Sequence, residues 1–187
     1  MENNVAIICA NGCEEGETLT LADILRRAEI PCTLVGLEGT EVTGAHDITL
    51  RTDAVFDGSL AAYTMVVLPG GYGGAAAMRA SDDLLAALCE RSEYGAWIAA
   101  ICAAPIALDR AGLLEGKRFT CYPSTAQQIG SGTWVDEIVV VDGRLVTSQG
   151  PATAYAFGYR LAELLGADAE VVKARMVYAN AFDEGVE

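Results

Sequence analysis

The feature that most constrains this chain is a recurrence of short apolar runs separated by segments with helical spacing. Val5 to Ala10, Met65 to Leu68 and Trp97 to Ile101 are apolar throughout, without the polar alternation of a strand that faces water on one side. Leu21, Ile24, Leu25 and Ala28, by contrast, follow the i, i+3, i+4, i+7 spacing of one helix face. Strands buried on both faces and alternating with helices predict an α/β fold: a largely parallel sheet sandwiched between helices.

The remaining segments extend this pattern. Pro31 to Val35 reads as a second strand, and the stretch from Glu38 to Ser59 mixes short extended pieces with Gly and Asp turns. Ser81-Asp82-Asp83 reads as the cap and first turn of a helix that carries Leu84, Leu85 and Leu88. A helix from Ala103 to about Arg110 should follow Ile101 at once, and a strand is expected at Phe119 to Tyr122. Ile138 to Val141 and Leu145 to Thr147, joined by Asp142-Gly143, predict a β-hairpin, the one clear antiparallel element. Gly150-Pro151 opens a helix with Ala154, Phe157, Leu161 and Leu164 on one face and Gly166 as its stop. A last helix starts near Ala169, and the acidic end after Phe182 reads as a frayed tail. With 187 residues and no linker or repeat, a single domain over 1–187 is expected.

Charge narrows the partners. Lys and Arg total 12 against 26 Asp and Glu, a formal charge of −14. Such a surface repels phosphate backbones and anionic lipid, so nucleic acid and membrane are not expected partners and a small molecule is. No apolar run approaches the roughly 20 residues needed to span a bilayer, and the start Met-Glu-Asn-Asn has no basic segment, which points to the cytoplasm. The six cysteines, Cys9, Cys13, Cys32, Cys89, Cys102 and Cys121, form no C-x-x-C motif and sit mostly in apolar runs, so disulfides are not expected.

Ligands of open α/β sheets gather outside the carboxyl ends of the strands. Three segments qualify: Asn11 to Glu17, Pro69 to Gly74 and Ala100 to Pro105. The third has the steric pattern of a nucleophile elbow, with the small residues Ala100 and Ala104 two positions either side of Cys102. A thiol facing the N-terminus of a helix that begins near Ala103 is expected to have its pKa lowered, into the range of roughly 3.5 to 7.5. The plainer reading of Cys102 is a buried structural cysteine.

Glu14, Glu15 and Glu17 sit where the first helix begins. They either complement its dipole, worth about 0.3 to 1 kcal/mol each, or one of them, Glu17 by choice, points inward as a protonated partner of Cys102. Gly71-Tyr72-Gly73-Gly74-Ala75-Ala76 matches the weak form of a dinucleotide fingerprint, yet the next strand ends in Cys102 rather than an acidic residue. Gly70 and Gly71 serve either as a tight turn or as a backbone that brings an amide to developing negative charge. His46, the only histidine, reads as a solvated loop residue without ligand partners, so no metal is assigned.

Gly12 to Glu17, Val67 to Gly71, Ala99 to Pro105 and Thr147 to Pro151, in this order and over nearly the whole chain, resemble the ThiJ/PfpI superfamily. Within it the likeness is to the parkinsonism-associated (DJ-one) branch and its bacterial YajL relatives. The resemblance implies a flavodoxin-like three-layer α/β/α sandwich, a homodimer, and a pocket near the dimer interface. It implies Cys102 as nucleophile, Glu17 as the carboxylic acid that hydrogen-bonds it, and the amides of Gly71 and Ala103 as the oxyanion site. Tyr122 stands where the branch often has a histidine, and His46 where it often has an arginine. The protease-like branch has a histidine directly after its cysteine, and Ala103 removes that base.

The implied activity is glyoxalase- or deglycase-like, without added cofactor: attack of Cys102 on a small carbonyl such as methylglyoxal, with Glu17 moving the proton to give lactate. Gly70, Glu14, His46 and Tyr122 are expected to surround the reacting group. The alternative is a redox-responsive sensor or chaperone in which Cys102 is oxidised to sulfinic acid.

Overall fold

The structure, a computed structural model, describes residues 3–182. Its elements run β1 (Val5–Cys9), α1 (Glu15–Arg27), β2 (Cys32–Gly36), β3 (Glu41–Thr43), β4 (Thr49–Arg51), β5 (Ala54–Val55), β6 (Met65–Leu68), α2 (Tyr72–Ala80), α3 (Asp82–Glu93) and β7 (Trp97–Ile101). There follow α4 (Pro105–Arg110), β8 (Arg118–Phe119), β9 (Thr133–Trp134), β10 (Val139–Asp142), β11 (Leu145–Ser148), α5 (Ala154–Leu164) and α6 (Ala169–Arg175). The expected acidic tail beyond Phe182 lies outside the described residues.

The main sheet has the order β10-β11-β7-β6-β1-β2-β5, parallel except where β10 pairs with β11. Counting only β1, β2, β6, β7 and β11, its order is 2-1-3-4-5, the flavodoxin-like arrangement, with the crossover reversing between β1 and β6. Successive residues of a strand point to opposite faces. Val5, Ile7 and Cys9 therefore pack with Leu21, Leu25, Phe157 and Leu161 of α1 and α5, while Ala6 and Ile8 pack with Met78, Leu84, Leu88 and Leu108 of α2, α3 and α4. This two-sided burial is why β1 and β6 carry no polar alternation.

The structure departs from the sequence reading in four places. β3 and β4 form a second antiparallel pair. A helix, α2, follows Gly71, where the sequence reading assigned none. α4 starts at Pro105, not Ala103. Of the strand expected at Phe119 to Tyr122 only Arg118–Phe119 forms, paired in parallel with Thr133–Trp134. No helix among the described residues is long and apolar enough to cross a membrane.

Candidate functional site

The carboxyl ends of β1, β6 and β7 converge on Cys102. Its φ is +63°, a left-handed conformation that a residue with a side chain adopts at a cost of order 1–3 kcal/mol. The strain is held by hydrogen bonds on both sides: the Cys102 amide donates to Ser148 O at 3.0 Å, and the Tyr122 amide donates to Cys102 O at 2.9 Å. This is the elbow that Ala100 and Ala104 suggest, and both alanines are fully buried against it.

Glu17 reaches the sulfur from α1. It stands on the same helix face as Leu21 and Leu25, at i, i+4 and i+8, so the apolar stripe that docks α1 on the sheet carries its carboxyl into the core. It is 0 % exposed. The Gly70 amide donates to Glu17 Oε2 at 2.7 Å, the Cys102 sulfur is its other partner, and Oε1 receives no donor. Gly70 admits no substitute here. A Cβ at that position would collide with the Cβ of Cys102 and lie 2.9 Å from Glu17 Oε2. Gly71 has φ +81°, which turns its amide, with that of Ala103, toward the sulfur.

Burial sets the acidities of this pair. It pushes the Glu17 carboxyl up to about 7, against the opposing hydrogen bond from Gly70. It pushes the Cys102 thiol up to about 12, helped by the Glu17 charge and opposed by the Gly71 and Ala103 amides. This corrects the expectation of a thiol lowered by a helix N-terminus. α4 begins three residues further on and is only six residues long, and desolvation outweighs the backbone donors.

Above the pair opens a pocket of about 270 Å³ lined by Glu14, Ala45, His46, Gly71, Tyr72, Cys102, Ala103, Tyr122 and Pro151. Cys102, at 8 % exposure, forms part of its floor. Of the residues singled out in the sequence, Glu14, His46, Gly71, Cys102, Ala103 and Tyr122 line it, and Glu17 and Gly70 lie at the sulfur. Ala45, Tyr72 and Pro151 were not foreseen. Tyr72 and Tyr122 meet edge to face, with centroids 6.3 Å apart, and the Tyr72 hydroxyl lies 3.0 Å from Ser124 Oγ.

His46 lies in a loop with its side chain 67 % exposed, as a solvated histidine should, but it also has acidic partners that the sequence did not suggest. Its amide donates to Glu15 Oε1 at 2.9 Å, and its Nδ1 lies 3.3 Å from Glu15 Oε2 and 3.6 Å from Glu14 Oε1. Burial works against the charge on Glu15, but its own amide and the amide and ring of His46 outweigh this and hold its carboxyl below the usual range. These two carboxylates and Nδ1 lie within 4.8 Å of one another, the spacing a metal ion would need.

Residues 3–164 match the family model of the DJ-1/PfpI family. The chain belongs to the DJ-1/PfpI family. Among its relatives, Protein dj-1beta of Drosophila melanogaster is 41% identical over 179 residues, 91% of this chain and 94% of that protein. The crystal structure of Drosophila melanogaster DJ-1beta superposes with a TM-score of 0.91 at 38% identity, covering 95% of this chain and 98% of that one. Deglycase PH1704 of Pyrococcus horikoshii is 30% identical over 164 residues, 86% of this chain and 98% of that protein. A structure described as Toxoplasma gondii DJ-1, oxidized, has a TM-score of 0.89 at 31% identity, covering 95% of this chain and 99% of that one. The likeness to these DJ-1/PfpI relatives runs along nearly the whole chain.

Proposed function

We propose that this protein is a cysteine-dependent enzyme acting on small reactive carbonyl compounds, converting an α-oxoaldehyde such as methylglyoxal to lactate. The observation that carries this reading is the buried carboxyl of Glu17 against the sulfur of a cysteine that is held on a strained elbow and opens into a pocket. The name of the Pyrococcus relative, a deglycase, agrees with carbonyl-adduct chemistry.

Cys102 adds through sulfur to the aldehyde carbon, its proton passing to Glu17 and on to the carbonyl oxygen, which gives a hemithioacetal. The amides of Gly71 and Ala103 face the charge that develops there. Glu17 then removes the proton from the carbon bonded to sulfur and returns it to the neighbouring carbon by way of an enediol. The former aldehyde carbon is oxidised and the former ketone carbon reduced, so no external electron carrier is consumed. Water hydrolyses the resulting lactoyl thioester, releasing lactate and regenerating the thiol. A carboxyl with a pKa of about 7 suits both directions of proton transfer near neutrality. Lactate formation should vanish in Cys102→Ala and fall by about 10²- to 10⁴-fold in Glu17→Gln. Undiminished turnover in either variant removes that residue from the mechanism.

A second reading is favoured by the oxidised Toxoplasma relative. A sulfinate at Cys102 would face the same two amides and accept a hydrogen bond from a protonated Glu17. Two equivalents of peroxide would supply its oxygens and leave as water. Under mild peroxide, mass spectrometry should then find two added oxygens at Cys102 before the other five cysteines change, and modification of those first would end this reading.

A further inference from the structure

We infer that Glu14 and His46 make this pocket discriminate by charge, admitting uncharged carbonyl compounds and excluding carboxylate-bearing ones such as oxoacids. The inference deepens the proposed function by naming the substrate class, and it rests on that reading of Cys102. Glu14 places a carboxylate on the pocket wall, its side chain 17 % exposed, and the charges behind it are also acidic: Glu15 beside His46 and Glu17 below the sulfur. Among the described lining residues there is no Lys or Arg. The one lining side chain able to carry positive charge, His46, already has its Nδ1 turned to Glu14 and Glu15, so only the Gly71 and Ala103 amides are left to meet an incoming anion. The remaining side chains of the wall, Ala45, Tyr72, Tyr122 and Pro151, are apolar or neutral phenols.

A second anion in a small, partly desolvated cavity interacts more strongly than it would in water, so one charge changes entry measurably. A carboxylate product formed at Cys102 would meet the same repulsion and be expelled, so the arrangement favours release as well as selection.

The test needs no turnover. Iodoacetamide and iodoacetate both alkylate a thiol by displacing iodide, and differ in that the second carries a carboxylate. Their rates at Cys102 are followed by peptide mass spectrometry and compared with those at N-acetylcysteine amide, whose thiol has no charged neighbour. The preference of Cys102 for the amide reagent should exceed that of the free thiol by about tenfold, equivalent to about 1.4 kcal/mol. Glu14→Gln should reduce this excess by about threefold, and His46→Arg, which can keep the pairing with Glu15 while adding a permanent charge, should reduce it as far or further. A Cys102 preference equal to that of the free thiol, or one unmoved by both variants, overturns the inference while leaving the carbonyl chemistry standing. A Cys102 that neither reagent labels, in a protein that forms no lactate, overturns both.

Discussion

Glu17 and Cys102 share a proton balance that fixes a pH profile. With the carboxyl raised to about 7 and the thiol to about 12, the pair carries a single negative charge over the range between. Thiol with carboxylate and thiolate with carboxylic acid are the two arrangements of that one charge state: the first pairs the sulfur with its proton acceptor, and the second is a nucleophile with the proton donor the carbonyl oxygen needs. Below about 7 both groups are protonated. Methylglyoxal turnover should therefore rise with pH through about 7, and the rise should disappear in whatever activity Glu17→Gln retains. A profile unchanged by Glu17→Gln would place the ionisation elsewhere. Gly70→Ala tests the backbone at the same scale. Its methyl must displace the Cys102 side chain, and a shift of about 1 Å at a nucleophile costs of order 10²-fold in turnover.

The elements that carry the nucleophile were legible, and those that build the pocket wall were less so. β1, β6 and β7 are buried on both faces and announce themselves as apolar runs, and the elbow follows from small residues around Cys102. Glu17 was legible as one of three candidates, since helical spacing aligns it with Leu21. β3 and β4 escaped because each is three residues long with one inward side chain, Val42 and Leu50. Yet the turn between them brings His46 to Glu15, and the pair is docked by the Gly12 amide on Thr43 O and the Ala45 amide on Cys13 O. α2 escaped because Gly73 and Gly74 argue locally against a helix. They are needed for packing: a Cβ at Gly74 would stand 2.7 Å from Cys13 Cα. α3 was found from its cap, and Ser81 Oγ does accept from the Leu84 amide at 3.3 Å. Ser81→Ala should lower unfolding stability by about 1 kcal/mol without touching Cys102 chemistry, as denaturant titration beside the lactate assay would show. A stability loss well beyond about 2 kcal/mol would mean that Ser81 does more than cap α3.

For the whole molecule, the same buried carboxyl couples function to stability. The pKa of Glu17 rises from 4.5 to about 7 on folding, so the folded state binds its proton more tightly than the unfolded chain does. That contribution is fully present below about 4.5, declines as pH rises through the window up to about 7, and is absent above it. Its size is of order 3 kcal/mol, a sizeable share of the 5–15 kcal/mol that a domain typically has in hand. The net charge of −14 pushes in the same direction as carboxylates ionise, so a declining curve by itself does not identify Glu17. The difference between two curves does. Glu17→Gln keeps the shape and can still accept from the Gly70 amide, but it has no proton to lose. The variant should therefore unfold at increasingly higher denaturant than the native chain as pH is raised from 4.5 to 7, with a constant gap beyond. Added salt, which screens the surface charge, should leave that gap in place because Glu17 is shielded from solvent. Parallel curves across this range would show that Glu17 ionises as freely in the folded protein as in the unfolded chain, and a rise in turnover near pH 7 would then belong to another group.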